Sequence, residues 1–326
     1  MALQRVVCPV CGSARARFVF DAFDYVYRVS ADRFMVQCCR DCGAGYLSPR
    51  PSPDELARYY PSEFYWNFEH ATAVPLSREQ LLLQRLPQIT AKLSRMAHLP
   101  RGRLLDIGTM KGEFLSAARD AGWRVQGVEF GDHVPNMFAV PIHYGEFLDM
   151  DFEPQSFDCV TMWAVLEHVY EPRAYVQKVA RLLTQAGHFI GVVTNFNTLQ
   201  ARLLRSDDFP RHLTLFTKSS LRRLFAEAGL DLVRVWTDQR LFGGPLRGAL
   251  SYGVKRGLGY GVDEALFEMR NRRDPEAFCC KFRGRPSAAM KWVSRTDQLL
   301  LWLPEKALDL AGLGFNLGFE ARRIGS

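Results

Sequence analysis

Long hydrophobic runs are missing from this chain. No window of about eighteen apolar residues occurs in its 326 positions, which argues against a membrane-spanning helix. The longest candidate, Leu299 to Leu303, is stopped by Pro304. Low-complexity segments and repeats of roughly 20–50 residues are also lacking, which excludes solenoids and arrays. No secretory leader is apparent, so a cytoplasmic address and reduced thiols are expected. Charge is nearly balanced, with 42 Lys and Arg against 35 Asp and Glu. With 48% apolar residues, the chain has material for one sizeable α/β core plus small attachments.

Against these absences stands the stretch from Leu104 to Glu129. Leu104, Leu105 and Ile107 form a short apolar run suited to a central parallel strand. Gly108 and Gly112 bracket a turn where backbone must approach a ligand without Cβ atoms in the way. Phe114 to Ala121 reads as a helix, with Gly122 placed to cap it. Glu129 ends the next strand, where a carboxylate can accept from two ribose hydroxyls. The order strand, glycine turn, helix, strand, acid is that of an adenosine-bearing cofactor site. A dinucleotide site would show G-x-G-x-x-G to bring N–H groups onto a pyrophosphate. Here Asp106 precedes the first glycine in D-x-G-x-x-x-G, an acid that repels a pyrophosphate but suits a cationic ligand.

The stretch resembles the class I S-adenosylmethionine-dependent methyltransferases, whose first motif reads D-x-G-x-G-x-G. Met110 stands at that motif's middle glycine, and a methionine fits there with a negative φ. Downstream, Ser156-Phe-Asp-Cys-Val, then Val165-Leu-Glu-His-Val169, a helix opened by Glu171-Pro172, Arg181-Leu-Leu183, Gly187 and a strand ending at Thr194-Asn195 follow in order. His212-Leu-Thr-Leu-Phe216, Ser220-Leu221 and Glu227-Ala-Gly229 continue the series. The pattern, over about Leu104 to Val235, is similar to methyltransferases of the ubiquinone-biosynthesis and polysaccharide-cluster type. That resemblance implies an α/β fold: a Rossmann-like, doubly wound, seven-stranded, mostly parallel sheet.

Cys8-x-x-Cys11-Gly and Cys39-x-x-Cys42-Gly are two knuckles, each of which turns the backbone so that two thiolates face one ion. Together they predict a structural tetrahedral zinc site in a small ribbon whose strands lie within Phe18 to Val36. Disulfides are the alternative reading, and Cys38 is an alternative ligand with poorer spacing. Cys159 reads as a buried small hydrophobe; Cys279 and Cys280 have no assigned role.

These landmarks divide the chain into a zinc ribbon (1–50), an aromatic linker with lid-like helices (51–100), the methyltransferase core (101–238), a basic helical insertion (239–312) and a final strand (313–326). Ser77-Arg-Glu-Gln80 is a capping box for a helix reaching Ala97 and passing Pro87. Residues 239–326 hold 15 Lys and Arg against 9 Asp and Glu, so +6 of the chain's +7 lies there. Such a segment can meet a phosphate-bearing substrate or the surface of an anionic membrane; a solvated basic face is the plainer reading.

The resemblance assigns roles. Asp106, Gly108, Met110 and Gly112 would hold the methionine part of S-adenosylmethionine, and Glu129 its ribose. Phe130 would pack on adenine, Glu146 and Phe147 would line its edge, and Trp163 joins the cofactor set. Glu167, His168 and His212 are the catalytic candidates, a histidine serving as general base toward an acceptor hydroxyl. Related stretches reading E-x-x-E-H bind a magnesium-type ion, but Ala164 replaces the first acid here. The plainer readings are a helix-start pair for Glu167 and His168 and a satisfied loop histidine for His212. The expected acceptor is a hydroxyl of a sugar, polysaccharide or glycolipid precursor, or another small molecule. Ribosomal RNA ranks behind it, and a non-catalytic protein with a degenerate fold is a further alternative. The aromatic stretch 59–68 is a candidate lid over the acceptor. On that reading, Tyr65→Ala with Trp66→Ala raises the acceptor KM severalfold while calorimetric cofactor affinity stays unchanged.

Overall fold

The computed structural model describes residues 3–24, 30, 32–60, 77–131, 134–198, 201, 207–242, 246, 249–259, 296 and 299–324. Phe64, Tyr65, Trp66, Phe68, Cys279, Cys280 and most of the basic insertion lie outside the described residues. Two short strands, β1 (Leu3–Gln4) and, further on, β5 (Arg50–Pro51), pair with each other and flank β2 (Ala16–Ala22), β3 (Phe34–Cys39) and β4 (Gly45–Leu47). Then come β6 (Arg103–Ile107), β7 (Arg124–Glu129), β8 (Ile142–Tyr144), β9 (Phe157–Trp163), β10 (Leu183–Thr194), β11 (Thr214–Leu215), β12 (Leu230–Trp236) and β13 (Asn316–Arg323).

Seven strands form the main sheet in the order β12-β13-β10-β9-β6-β7-β8. β8, β7, β6, β9 and β10 pair in parallel, while β13 runs antiparallel to both β10 and β12. The chain lays down β6, β7 and β8 in one direction and resumes with β9 on the other side of β6. That reversal opens a crevice beyond the carboxyl ends of β6 and β9, where open α/β sheets collect ligands.

Alternation along the strands explains the layers. Leu105, Ile107, Val160, Met162, Phe189 and Val193 pack on one face with Val176, Val179, Leu221, Leu224 and Phe225. Leu104, Cys159, Trp163, Ile190 and Val192 face the other way, against Leu81, Ala91, Phe114 and Ala118. Successive residues thus serve opposite faces, as a sheet covered on both sides requires. The covering helices start where their caps dictate. Ser77 and Gln80 form both halves of a capping box for Arg78–Met96, which continues through Pro87. Pro172 opens Pro172–Leu182, and Thr217 caps Lys218–Glu227 through Ser220. Within 239–312 the described elements are helical: Gln239–Phe242, Ala249–Gly257 and Trp302–Leu310. No described helix is long and apolar enough to cross a membrane.

The ribbon sheet has the order β11-β4-β3-β2, so its fourth strand comes from far along the chain. β11 pairs antiparallel with β4, Thr214 opposite Tyr46 and Leu215 opposite Gly45. The expected boundary at residue 50 therefore does not separate two bodies. Phe20, Phe34, Val36, Leu47, Leu56 and Tyr59 share one buried cluster with Phe196, Phe209, Leu213 and Leu215. A Cβ at Gly45 would stand 2.8 Å from the Phe196 ring, so the close approach requires glycine.

At the opposite edge, Glu320 of β13 ties four elements together. Its Oε1 accepts from His98 Nε2 at 3.0 Å and His188 Nδ1 at 2.8 Å, and its Oε2 from Arg234 Nε at 2.7 Å. Burial alone would raise this carboxyl, but the bonds from His188, His98 and Arg234 hold it at about 2, below its ordinary 4.5. A depressed folded pKa stabilises the fold above pH 4.5, and that contribution is lost as pH falls toward 2. Glu320→Gln is expected to cost on the order of 3 kcal/mol at pH 7 in urea unfolding. The gap from wild type should narrow as pH falls from 4.5 toward 2; a constant gap would deny the ionic contribution.

Candidate functional site

The turn after β6 is held from β7. Gly108 N and Thr109 N donate to Val128 O at 2.8 and 3.1 Å, and Met110 N donates to Glu129 Oε2 at 2.7 Å. Glu129 Oε1 accepts from Phe130 N at 3.0 Å, so this buried carboxylate closes the glycine turn on itself. A Cβ at Gly108 would meet Val165 Cγ2 at 2.4 Å, and one at Gly112 would meet Val140 Cγ2 at 2.7 Å; both glycines have positive φ. Met110 departs from expectation: its φ is +52°, in the left-handed region and not the negative one. The turn keeps its glycine-like path and imposes it on a methionine, at a strain of roughly 1–2 kcal/mol.

Asp106 is buried at the end of β6 and accepts from Thr161 Oγ1 at 2.6 Å. Burial raises its carboxyl to about 6, against the pull of the Lys92 ammonium and of Thr161. Lys92 reaches in from the helix Arg78–Met96, its Nζ 5.2 Å from the Phe114 ring centroid and 5.4 Å from that of Trp163. Burial lowers this ammonium, while Asp106 and Glu113 oppose the shift. Nothing in the local sequence marks Lys92, because its position depends on the helix docking over the crevice. Trp163 is 6% exposed, packs edge-on against Phe114 at 5.6 Å, and leaves its buried Nε1 without a hydrogen-bond partner.

The remaining adenine-side residues divide. Phe130 is 71% exposed beside the crevice. Glu146 caps the short turn Phe147–Asp149 by accepting from Leu148 N, and it also accepts from the Tyr175 hydroxyl. Phe147 is 1% exposed and packs against Tyr175 at 5.3 Å. An aromatic ring in a short loop gains more from the core than from solvent.

Beyond the carboxyl end of β9, Glu167, His168 and His212 bring ligating atoms within 4.8 Å of one another. His168 and His212 meet edge to face with centroids 4.5 Å apart. His212 donates from Nδ1 to Asp207, and His168 Nδ1 pairs with the Tyr60 hydroxyl at 3.2 Å. Burial drives His168 down to about 3, with the neighbouring His212 adding to the shift, so its imidazole is neutral near pH 7. Burial also opposes charge on His212, but Asp207 outweighs it and raises that group. Glu167, fully buried with neither carboxyl oxygen hydrogen-bonded, is raised by burial to about 7, against the pull of His212. Asp207 escaped the sequence reading, although it lies five residues before His212 and could have been paired with it; Tyr60 belongs to the aromatic stretch 59–68 read as a lid over the acceptor.

Other buried polar atoms lacking partners gather at this end: Thr194 Oγ1, Thr214 Oγ1 and Asn316 Nδ2. Thr194 and Asn316 stand directly opposite in the β10–β13 register. Buried polar groups are normally paired.

In the ribbon, Cys8 Sγ lies 3.5 Å from Cys42 Sγ, and Cys11 Sγ 3.6 Å from Cys39 Sγ. All four thiols fall within 4.8 Å of one another. These separations exceed a disulfide bond and approach the ~3.8 Å edge of a tetrahedral sulfur shell. Cys38 packs in the other ribbon cluster, outside this group.

Residues 81–235 match the family model described as a methyltransferase domain. This is an S-adenosylmethionine-dependent methyltransferase. The methyltransferase is 26% identical, over 211 residues, to a ubiquinone biosynthesis O-methyltransferase of Cupriavidus pinatubonensis; the match spans 57% of this chain and 81% of that protein. Among solved structures it resembles the cyclase SpnF with a TM-score of 0.50 at 14% identity, covering 85% of this chain and 98% of that one. It also resembles the Haemonchus contortus phosphoethanolamine N-methyltransferase 2 complexed with S-adenosyl-L-methionine, at TM-score 0.48 and 17% identity, over 94% of this chain and 71% of that one.

The state of Glu167 is testable in the methyltransferase. A folded pKa raised above 4.5 favours the fold at low pH, and that advantage is lost as pH rises toward 7. Glu167→Gln should therefore gain on the order of 3 kcal/mol relative to wild type between pH 4.5 and 7 in chemical unfolding. A pH-independent difference would mean that the carboxyl titrates normally.

Proposed function

We propose that the protein methylates a hydroxyl oxygen of a small polar acceptor, with a sugar or glycolipid precursor the first candidate. The observation that carries this reading is the Glu167–His168–His212 cluster beside the crevice, with a neutral imidazole and a set of unpartnered uncharged polar groups around it. Thr194, Thr214 and Asn316 offer hydroxyl and amide groups, which suit an acceptor rich in hydroxyls better than a charged one. The O-methyltransferase activity named for the Cupriavidus relative supports transfer to oxygen.

S-adenosylmethionine, when bound, supplies an electrophilic methyl group on a sulfonium. Asp106, a buried carboxyl beside Lys92, suits the cationic end of that cofactor, and Gly108 and Gly112 admit its approach without Cβ atoms. Glu129 stands where ribose hydroxyls would be held, and Trp163 walls the pocket. Asp207 accepts the Nδ1 hydrogen bond of His212 and makes that ring the more basic of the two, the better candidate for a proton leaving the acceptor, while the neutral His168 is held at Nδ1 by Tyr60. Alignment of the acceptor and exclusion of water provide most of the acceleration. The thiol tetrad fits zinc in a closed structural site, its four sulfurs lying within 4.8 Å of one another.

Calorimetric titration with S-adenosylmethionine and S-adenosylhomocysteine tests the cofactor half. Saturable binding by wild type, abolished in Asp106→Ala, is the expected result. No binding by the folded, metal-loaded protein would sink the methyltransferase reading and promote the non-catalytic alternative. His212→Asn should leave that affinity unchanged while lowering kcat by about 100-fold or more.

A further inference from the structure

The ribbon and the candidate acceptor site are joined by several independent contacts. Strand β3 ends at Cys39, so the second thiol knuckle continues directly from it. β3 pairs with β4, and β4 pairs with β11, which begins two residues after His212. Leu47 N donates to Leu213 O at 3.1 Å, while Leu213 N and Thr214 N donate to Glu167 O at 2.8 and 3.1 Å. The ladder thus runs from thiol knuckle to catalytic candidate without interruption. Ser219 Oγ adds a bond to Cys42 O at 3.0 Å, from the first turn of the helix Lys218–Glu227.

Arg211 supplies a second link. It is fully buried, donating from Nη2 to Asp24 of the ribbon at 2.8 Å and to Asp208 at 2.7 Å, and from Nη1 to Tyr59 O at 2.6 Å. The next residue in the chain is His212, and the residue after Tyr59 is Tyr60, the partner of His168. The cofactor turn, by contrast, is held from β7 through Val128 and Glu129.

We propose that the four-cysteine ribbon is the positioning element of the acceptor half of the site: a metal on Cys8, Cys11, Cys39 and Cys42 fixes the β3–β4–β11 ladder and, with Arg211 as the positioning residue, sets His212, Glu167 and His168. This rests on the reading of that cluster as the acceptor site. Emptying the thiolates then loosens the loop 207–216 and leaves the cofactor half folded and competent. A merely stabilising ribbon would instead weaken both halves together.

The test uses the full chain, as isolated with its metal and after chelation by EDTA. Hydrogen exchange by mass spectrometry is followed in 207–216 and in 113–129, alongside calorimetric binding of S-adenosylhomocysteine. Metal removal is expected to raise exchange in 207–216 by about a hundredfold, with 113–129 and the affinity little changed. Asp24→Ala, with one metal per chain retained, removes the ribbon's acceptor for Arg211 without touching a thiolate and should raise exchange in 207–216 by about tenfold; the same outcome in Asp24→Asn is not required, because its amide oxygen still accepts. The proposal is overturned if 207–216 stays protected without metal, if both regions lose protection together, or if Asp24→Ala leaves 207–216 unchanged. Failure of the metal-loaded wild type to bind S-adenosylhomocysteine strikes at the methyltransferase reading instead, whatever the exchange shows.

Discussion

A guanidinium with no access to water is the constraint on which this architecture turns. An unpaired buried charge costs several kcal/mol, so Arg211 is tolerable only with carboxylates and carbonyls in place. Asp208 is local, but Asp24 and the Tyr59 carbonyl arrive from segments more than 150 residues away. Burying Arg211 therefore requires the ribbon, the linker and the loop before β11 to assemble at once. Arginine suits this task because its planar fork serves four partners, Asp24, Asp208 and the Tyr59 and Phe209 carbonyls, and remains charged in a dry environment. Asp208 and Asp24 hold that charge against the opposing effect of burial. Asp24 and the Tyr59 carbonyl are both in place only when the ribbon and linker are docked, so the docked state is favoured over partly docked ones.

Of the four described non-glycine residues with positive φ, Met110 and Ala164 border the crevice. Met110 replaces the middle glycine of the first motif and Ala164 the first acid of the later one. Both adopt positive φ, at +52° and +58°. Each sits just beyond a strand bordering the crevice, so the backbone path at the carboxyl ends of β6 and β9 has been kept while the side chains changed. The neighbours explain why the path cannot relax. Gly108 lies against Val165, Ala164 N is bonded to Val192 O, and Met110 N is bonded to Glu129. Strain at two positions is outweighed by contacts that a different path would break.

Local chemistry was legible in the sequence, and long-range assembly was not. The capping box at Ser77, the proline opening at Pro172, the apolar strands and the two thiol knuckles each depend on residues a few positions apart. They appear where the pattern put them. The glycine turn was legible as a turn, but the sign of φ at Met110 was not, since Glu129 and the packed valines decide it. β11 is two residues long and has no periodicity to detect; only its pairing with β4 makes it a strand. Lys92 and Asp24 look like ordinary surface residues until distant segments carry them to Asp106 and Arg211.

The acceptor-side cluster gains its chemistry from the divergence of three titrating groups in one small volume. His168, His212 and Glu167 share nearly the same burial, yet burial and a neighbouring charge drive His168 down to about 3 while Asp207 keeps His212 up. The two imidazoles cannot both be charged at edge-to-face contact, and Asp207 decides which one carries the proton. Glu167, held near 7, can be neutral or ionised at little cost, so it can buffer whatever charge His212 takes. The less basic ring is held through its Nδ1 by Tyr60, and the more basic one is anchored by Asp207. This division follows from where the loop 207–212 is pinned, which returns the chemistry of the site to Arg211 and the ribbon that holds it.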